Sequence, residues 1–378
     1  MKPSTLITAA VTVLFLALLL DYRHRSATSI SSKEAASETS PTEWDVGDSL
    51  SGTFSRFRAS SDGLGRSSAA GPTSLFDRLE AEGNDHVPIE YGRLEPYLEA
   101  NHRSADSLLA AFRLTADRGL LREALAKYPD DPEVAFMAYY RAGPFDIKTP
   151  ASAERLKWLD TIKRSDPGNA LGDYLSAREH FKAGQTELAM QDLQNGLSKT
   201  TLRDYAASSV QAAEEAYRAA GLSELEAKYF AWSHLPIPQL PELKKLGFDV
   251  AELVGRYQSA GDDASSRNTL QIGLALAQQI ENSLGRESTI GELTGQAIER
   301  KLLGMVDPTT PYGNEGATVG DRLAEVAQQR DSLRALDSQA VQVLRGMSEA
   351  ELISYFDRMK VFGSTTALRW AADRTAAP

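Results

Sequence analysis

The chain has 378 residues, of which 42% are hydrophobic, so it can bury a sizeable core; length alone predicts two or three compact units. A net charge of −11 and a pI near 5.1 argue against a broad nucleic-acid surface, which needs clustered Lys and Arg. There is no cysteine, which excludes disulfides, thiolate metal sites, a Cys nucleophile and a lipidated N-terminal Cys.

The amino terminus carries the clearest localisation signal. Lys2 precedes an uncharged apolar run, Leu6 to Leu20. At 1.5 Å per residue this run spans about 22 Å, short of the roughly 30 Å hydrocarbon core, but Ser4, Thr5 and Tyr22 can sit in the interfaces of a thinned bilayer. Residues 1–25 therefore read as a membrane anchor. The alternative is the apolar centre of a cleavable signal peptide, against which Asp21, Tyr22, Arg23, His24 and Arg25 stand where small residues are wanted. Lys2 and the terminal amine nearly balance Arg23 and Arg25. A short tail ahead of a single span usually stays inside, which places the rest of the chain outside a bacterial-type inner membrane. Cleavage would instead give a secreted or periplasmic protein.

Residues 26–74 are rich in Ser, Thr, Ala and Gly and lack a sustained apolar period, the composition of a flexible linker. As a random coil it reaches on the order of 35–40 Å. The segment Trp44 to Phe57 carries aromatics that either dock on the folded part or lie free. The fragment "GLGRSSAAG" follows no strand and is not a dinucleotide fingerprint.

From Leu75 helix formers dominate and no period-2 strand run appears. Ser74 is a candidate N-cap for a helix with Leu75, Phe76 and Leu79 on one side. "RSADSLLAAFRLTADRG" places Leu108, Leu109, Phe112 and Leu114 on a helix ending at Gly119. "LLREALAKYPDDPEVAFMAYYRAG" predicts two helices separated by Pro129 to Pro132, with Gly143 and Pro144 stopping the second.

Asp131-Pro132 and Asp166-Pro167 stand 35 residues apart, each expected to end one helix and open the next. Tyr174, Ala177 and Phe181 recur at helical steps and are followed, after a turn at Gly184, by Leu188, Ala189, Leu193 and Gly196. Small residues at Ala177, Ala189 and Gly196 let two helix backbones approach closely. The stretch Asp166 to Leu197 resembles a tetratricopeptide repeat, whose period is about 34 residues. Ala177, Gly184, Ala189, Leu193 and Gly196 fall on that family's packing and turn positions, and Asp166-Pro167-Gly168-Asn169 resembles the close of a preceding unit. Asp173 and His180 depart from the pattern, which favours aromatics there. Weaker units flank this one, including an irregular turn at "GPFDIKTPAS" and a helix pair, Asp204 to Trp232, turning at Gly221. The resemblance covers about Leu98 to Leu235 and implies a helical solenoid over 75–235.

Three prolines in "HLPIPQLPELKKLGFD", His234 to Asp249, are expected to break the helical run. Beyond them Leu270, Leu274, Ala277, Ile280 and Leu284 form one apolar stripe, and Ile290, Leu293, Ala297, Ile298, Leu302 and Met305 another. A long amphipathic helix and two shorter ones follow, with Ser348 and Ser364 as candidate N-caps. Residues 236–378 read as a C-terminal helical bundle.

Catalytic signatures are few. The five histidines, His24, His86, His102, His180 and His234, show no H-x3-H or H-E-x-x-H spacing, and no G-x-S-x-G, Walker A or EF-hand pattern occurs. His180 reads as packing. Glu214-Glu215, Glu224, Glu226 and Asp262-Asp263 read as solvated faces. The Pro/Gly/Asn-rich loop Pro308 to Thr318 predicts an ordered turn, with Tyr312 filling a groove or touching a ligand. Trp158, Trp232 and Trp370 read as core anchors.

Together these features predict an all-α, membrane-tethered protein: a solenoid resembling tetratricopeptide repeats followed by a helical bundle. The residues singled out for repeat packing are Ala177, Gly184, Ala189, Leu193, Gly196 and Pro167. The expected role is a non-enzymatic scaffold for protein–protein interaction, with a protein or peptide partner, the membrane, no nucleic acid and no cofactor. The alternatives are a cell-envelope enzyme on peptidoglycan, using a lone Glu in an all-helical superhelix as lytic transglycosylases do, or a spacer without a ligand.

Overall fold

The computed structural model describes residues 74–84, 89–141, 153–313 and 316–374. The expected anchor, residues 26–73 of the linker, the turn "GPFDIKTPAS", His24 and His86 lie outside the described residues. Within them no helix is long and apolar enough to cross a membrane.

The protein is all-α. Among the described residues there are sixteen helices and no strand, only isolated bridges at Asn169–Thr201 and Pro311–Thr318. In chain order they are α1 (Leu75–Asn84), α2 (Tyr91–Ala100), α3 (Ala105–Thr115), α4 (Arg118–Lys127), α5 (Pro132–Arg141), α6 (Ala153–Ser165), α7 (Leu171–Lys182) and α8 (Thr186–Leu197). Then follow α9 (Ala206–Ala219), α10 (Glu224–Ser233), α11 (Gln239–Ser259), α12 (Asp263–Glu287), α13 (Thr289–Leu303), α14 (Val319–Leu344), α15 (Glu349–Phe362) and α16 (Ser364–Asp373).

Local chemistry explains many of the boundaries. The Ser74 hydroxyl accepts from the Asp77 N–H at 3.0 Å, and that of Ser104 accepts from Ser107 at 3.3 Å. Ser223 and Glu226 form a capping box at α10, and Thr318 and Asp321 form another at α14. At α15 the Ser348 N–H and hydroxyl both donate to Glu351, at 2.9 and 2.8 Å. Ser364 is not a cap: it is the first residue of α16, and its hydroxyl accepts from the Thr289 N–H at 2.8 Å, tying α16 to the start of α13.

The prolines behave unequally. Pro132 opens α5, whereas Pro167 lies exposed in the turn four residues ahead of α7. The expected break at His234–Asp249 shrinks to residues 234–238. α11 starts at Gln239 and takes Pro241 into its first turn, where a backbone N–H has no intrahelical acceptor to lose.

Two hydrophobic cores result. One is built from α1–α4 and part of α5, α9–α10, and the end of α14 with α15–α16. The other is built from the opposite face of α5 together with α6–α8 and α11–α13. α5 divides them: Val134 and Met137 face the first, Ala135, Phe136 and Tyr139 the second. The expected boundary at 235/236 is therefore not a division of the cores. The last helices return to the first ones, with α15 and α1 both packing on α10, and Arg345 pairs with Asp77 at 2.8 Å. α14 joins both regions: its 26 residues extend about 39 Å at 1.5 Å per residue. Val326 is buried near its start, Leu344 near its end.

Candidate functional site

Of the residues expected to pack a repeat, five lie in the α7–α8 hairpin, whereas Pro167 is exposed in the turn ahead of it. Ala177, Ala189 and Leu193 are fully buried, and Gly184 turns the chain between α7 and α8 at φ +72°, a conformation that favours glycine. Gly196 lies against the Tyr174 ring so closely that a Cβ there would come within 3.0 Å of Cζ and nearer still to the ring edge. Asp166 and Asn169 tie this hairpin to the segment that follows it. Asp166 accepts from the Arg203 guanidinium at 2.7 Å and the Tyr205 hydroxyl at 3.1 Å, while the Asn169 amide exchanges hydrogen bonds with the Arg203 backbone at 2.9 and 3.0 Å. Leu171 to Glu179 are all buried, because α6, α8 and α11 surround α7.

Where α5, α6, α7 and α11 meet, charges are buried in pairs. Glu179 accepts from Tyr139 at 2.7 Å, Arg155 at 3.1 Å and Lys182 at 2.9 Å. Arg178 bridges Glu242 at 3.2 Å and Asp249 at 3.0 Å. Burial pushes the Glu242 and Asp249 carboxyls up, opposed by Lys182 and Arg178 at Glu242 and by Arg178 and Lys245 at Asp249. Three cations face three carboxylates, so this is an internal clamp rather than a ligand site. His180 bonds Gln185 at 2.7 Å and faces Asp192 at 3.5 Å, an arrangement of packing and hydrogen bonding. Glu214, expected on a solvated face, instead accepts from Lys228 and Lys360, each at 2.8 Å, and joins α9, α10 and α15. Glu226 serves its capping box. Trp158, Trp232 and Trp370 are partly buried at the core margins.

An open cleft of about 670 Å³ lies elsewhere, between α12, α13, the loop after α13 and the first turns of α14. From α12 come Gln271, Leu274, Gln278, Glu281 and Asn282, whose three- and four-residue steps place them on one face. The core face of α12 is displaced from the expected stripe: Gly273, Leu276, Ala277, Ile280 and Leu284 are buried, Leu270 is only partly buried, and Leu274 opens into the cleft. The reason is Gly273, whose missing side chain lets Leu302 and Val250 approach and rotates the buried face towards it.

The loop beyond α13 is ordered by its own backbone. Tyr312 N–H donates to Ala317 at 2.9 Å, and Val319 and Gly320 donate to Thr310 and Pro308, both at 2.9 Å. This aims the half-buried Tyr312 at Glu299, whose carboxylate accepts its hydroxyl at 3.4 Å. Arg322 grips Glu299 with two bonds, Nε to Oε1 at 2.7 Å and a terminal nitrogen to Oε2 at 2.9 Å, and reaches Glu325 at 2.8 Å. Asp321 is held in the capping box of α14. Of the four acidic side chains lining the cleft, three are thus committed.

Glu281 is the fourth. Its Oε1 is buried without a hydrogen-bond partner among the described residues. Burial, reinforced by the negative charge of Glu299 and opposed by Arg322, pushes its carboxyl up to about 7. Gly295 of α13 allows this placement: a Cβ there would overlap Glu281 Cγ and come within 2.8 Å of the Ala277 carbonyl. A carboxyl that is half protonated at neutral pH can donate or accept a hydrogen bond, or move a proton. Sequence reading found Tyr312 and the loop but missed Glu281. The available signal was weak: a polar stripe, Gln271, Gln278 and Asn282, beside an apolar one. Among the described residues no group of three or more His, Asp or Glu could hold a metal ion. Comparison of the chain with known protein families, curated proteins and solved structures gives no match.

Proposed function

We propose that the chain is a helical scaffold that holds a protein or peptide partner, tethered to a membrane through Leu6 to Leu20, with the folded body on the exported side. The observation that supports it best is the lining of the α12–α14 cleft: neutral amides, an aromatic hydroxyl and one uncommitted carboxyl, with the other charges already paired. Such a surface offers hydrogen bonds to a backbone or to polar side chains without assembling a nucleophile and its base. The finer class, a solenoid resembling tetratricopeptide repeats over 75–235, belongs to the same proposal. It is supported by the α7–α8 hairpin with its Gly184 turn and Gly196–Tyr174 contact.

One observation favours the second reading, an enzyme on peptidoglycan: Glu281 is a single carboxyl raised to about 7 in a cleft, the state a general acid needs. A pull-down with the full-length protein, wild type and Gln278→Ala/Asn282→Ala, decides between them. A partner retained by the wild type and lost from the double variant supports the scaffold. Cleavage of purified peptidoglycan that is abolished by Glu281→Gln supports the enzyme and overturns the scaffold.

A further inference from the structure

The net charge of the chain is −11, yet four cations gather where α11, α13 and α14 meet, and none of them forms an ion pair with a carboxylate among the described residues. They are Lys244, Arg300, Lys301 and Arg330. Packing brings them together. Gly247 lets α11 approach α13 so closely that a Cβ there would overlap the Ile298 side chain. Lys244 and Phe248 flank that contact on α11, and Arg300 and Lys301 follow it on α13. Lys244 Nζ lies 5.6 Å and Lys301 Nζ 6.0 Å from the centre of the one Phe248 ring. Arg330 comes in from α14, which the Glu299–Arg322 pair fixes against α13.

All four side chains are partly buried, so these are not freely solvated surface charges. Arg330 Nε has neither solvent access nor a hydrogen-bond acceptor. The Lys244 amine is pushed down by burial and then by Arg300, and Arg330 is pushed down by burial, Arg300 and Arg334 in that order, opposed by Asp331. Folding has thus collected like charges and desolvated two of them, Lys244 and Arg330, an arrangement that an anion would complete. Other buried cations of this protein, Arg155, Arg178 and Lys228, have carboxylates within 3.2 Å.

We propose that Lys244, Arg300, Lys301 and Arg330 form a binding site for a phosphate-bearing ligand. Two guanidinium groups offer paired N–H donors to the oxygens of a tetrahedral anion, and the two ammonium groups beside the Phe248 ring supply further charge. The site is distinct from the cleft at Glu281, and the proposal holds whether or not the chain is a scaffold.

The test uses the full-length protein and inorganic pyrophosphate, titrated at constant ionic strength against chloride. Saturable binding with a rise in melting temperature is expected. Arg300→Gln and Arg330→Gln should each weaken binding by about tenfold, the loss of one charge-assisted hydrogen bond. Arg164→Gln, which removes an exposed cation on α6 paired with Asp130 at 3.2 Å, should not. Without ligand, Arg300→Gln should melt at or above the wild-type temperature, because it relieves repulsion; a merely structural arginine would lower it. Lys301→Gln replaces Arg300→Gln if that variant does not fold. A parallel arm compares vesicles of phosphatidylcholine with vesicles containing phosphatidylglycerol. Preferential sedimentation with the anionic vesicles, lost in Arg300→Gln, identifies a lipid headgroup as the source. Pyrophosphate binding without that preference identifies a soluble ligand. If neither pyrophosphate nor anionic vesicles distinguish wild type from these variants, the proposal is overturned.

Discussion

Replacing Glu281 with Gln keeps the side-chain volume while removing the ionisable group. In the folded protein this carboxyl sits at about 7 against an ordinary 4.5, because burial and Glu299 penalise its charged form. A folded-state value above the unfolded one means that folding takes up a proton between these pH values. The stability associated with the neutral form is therefore full below about 4.5 and is lost as pH rises through about 7. At 1.36 kcal/mol per pH unit the loss is at most about 3 kcal/mol; Glu281 retains some contact with water, which reduces this to about 1–2 kcal/mol. Glu281→Gln removes that loss. It should match the wild type at pH 5 and exceed it by about 1–2 kcal/mol at pH 8. Urea unfolding at both pH values and constant ionic strength, followed by circular dichroism, measures it. Equal wild-type and variant stability at pH 8, or a wild-type-to-variant difference no larger there than at pH 5, would show that the carboxyl is not desolvated in the cleft.

Four further outcomes follow from the packing. Gly196→Ala sets a methyl into the Tyr174 ring, which is fully buried and bonds Gln279 through its hydroxyl; overpacking of about 3 kcal/mol less about 1 kcal/mol of helix propensity gives a net loss of about 2 kcal/mol. Gly92→Ala, which meets nothing within 4 Å on α2, should leave stability equal or slightly raised, and the two melting curves compared side by side check the sign. Arg178→Met leaves Glu242 to Lys182 alone and Asp249 to Lys245 alone in the buried clamp and should cost about 3 kcal/mol, read as a shift of the denaturant midpoint. Glu133, which burial pushes up to about 7 while Ser208 donates to it at 2.7 Å, should behave like Glu281: Glu133→Gln flattens the fall in stability between pH 5 and 8.

Part of this protein was legible locally. Ser74, Ser348 and Gly184 act within their own turns, so a few neighbouring residues specify them, and helix formers with three- and four-residue apolar steps give the all-α class. The Ala177–Gly196 hairpin was readable for the same reason, since both its helices lie within one short stretch of chain. Prolines were less transparent: Pro241 breaks nothing because its place in the first turn, not its identity, decides its effect.

What lies beyond one hairpin depended on tertiary structure. Which face of α12 is core was settled by Gly273 and the residues of α11 and α13 that fill its space, not by the leucines of α12 alone. The return of α15 and α16 to the first helices joins residues more than two hundred positions apart, for which amphipathic pattern carries no address. Glu281 is an ordinary helical glutamate in the sequence. It becomes a raised carboxyl only where Gly295 admits it and Glu299 faces it, and the four unpaired cations become a site only where Gly247 draws α11 onto α13. Helical periodicity encodes which residues avoid water; burial and charge proximity belong to pairs of helices, and only packing makes those pairs.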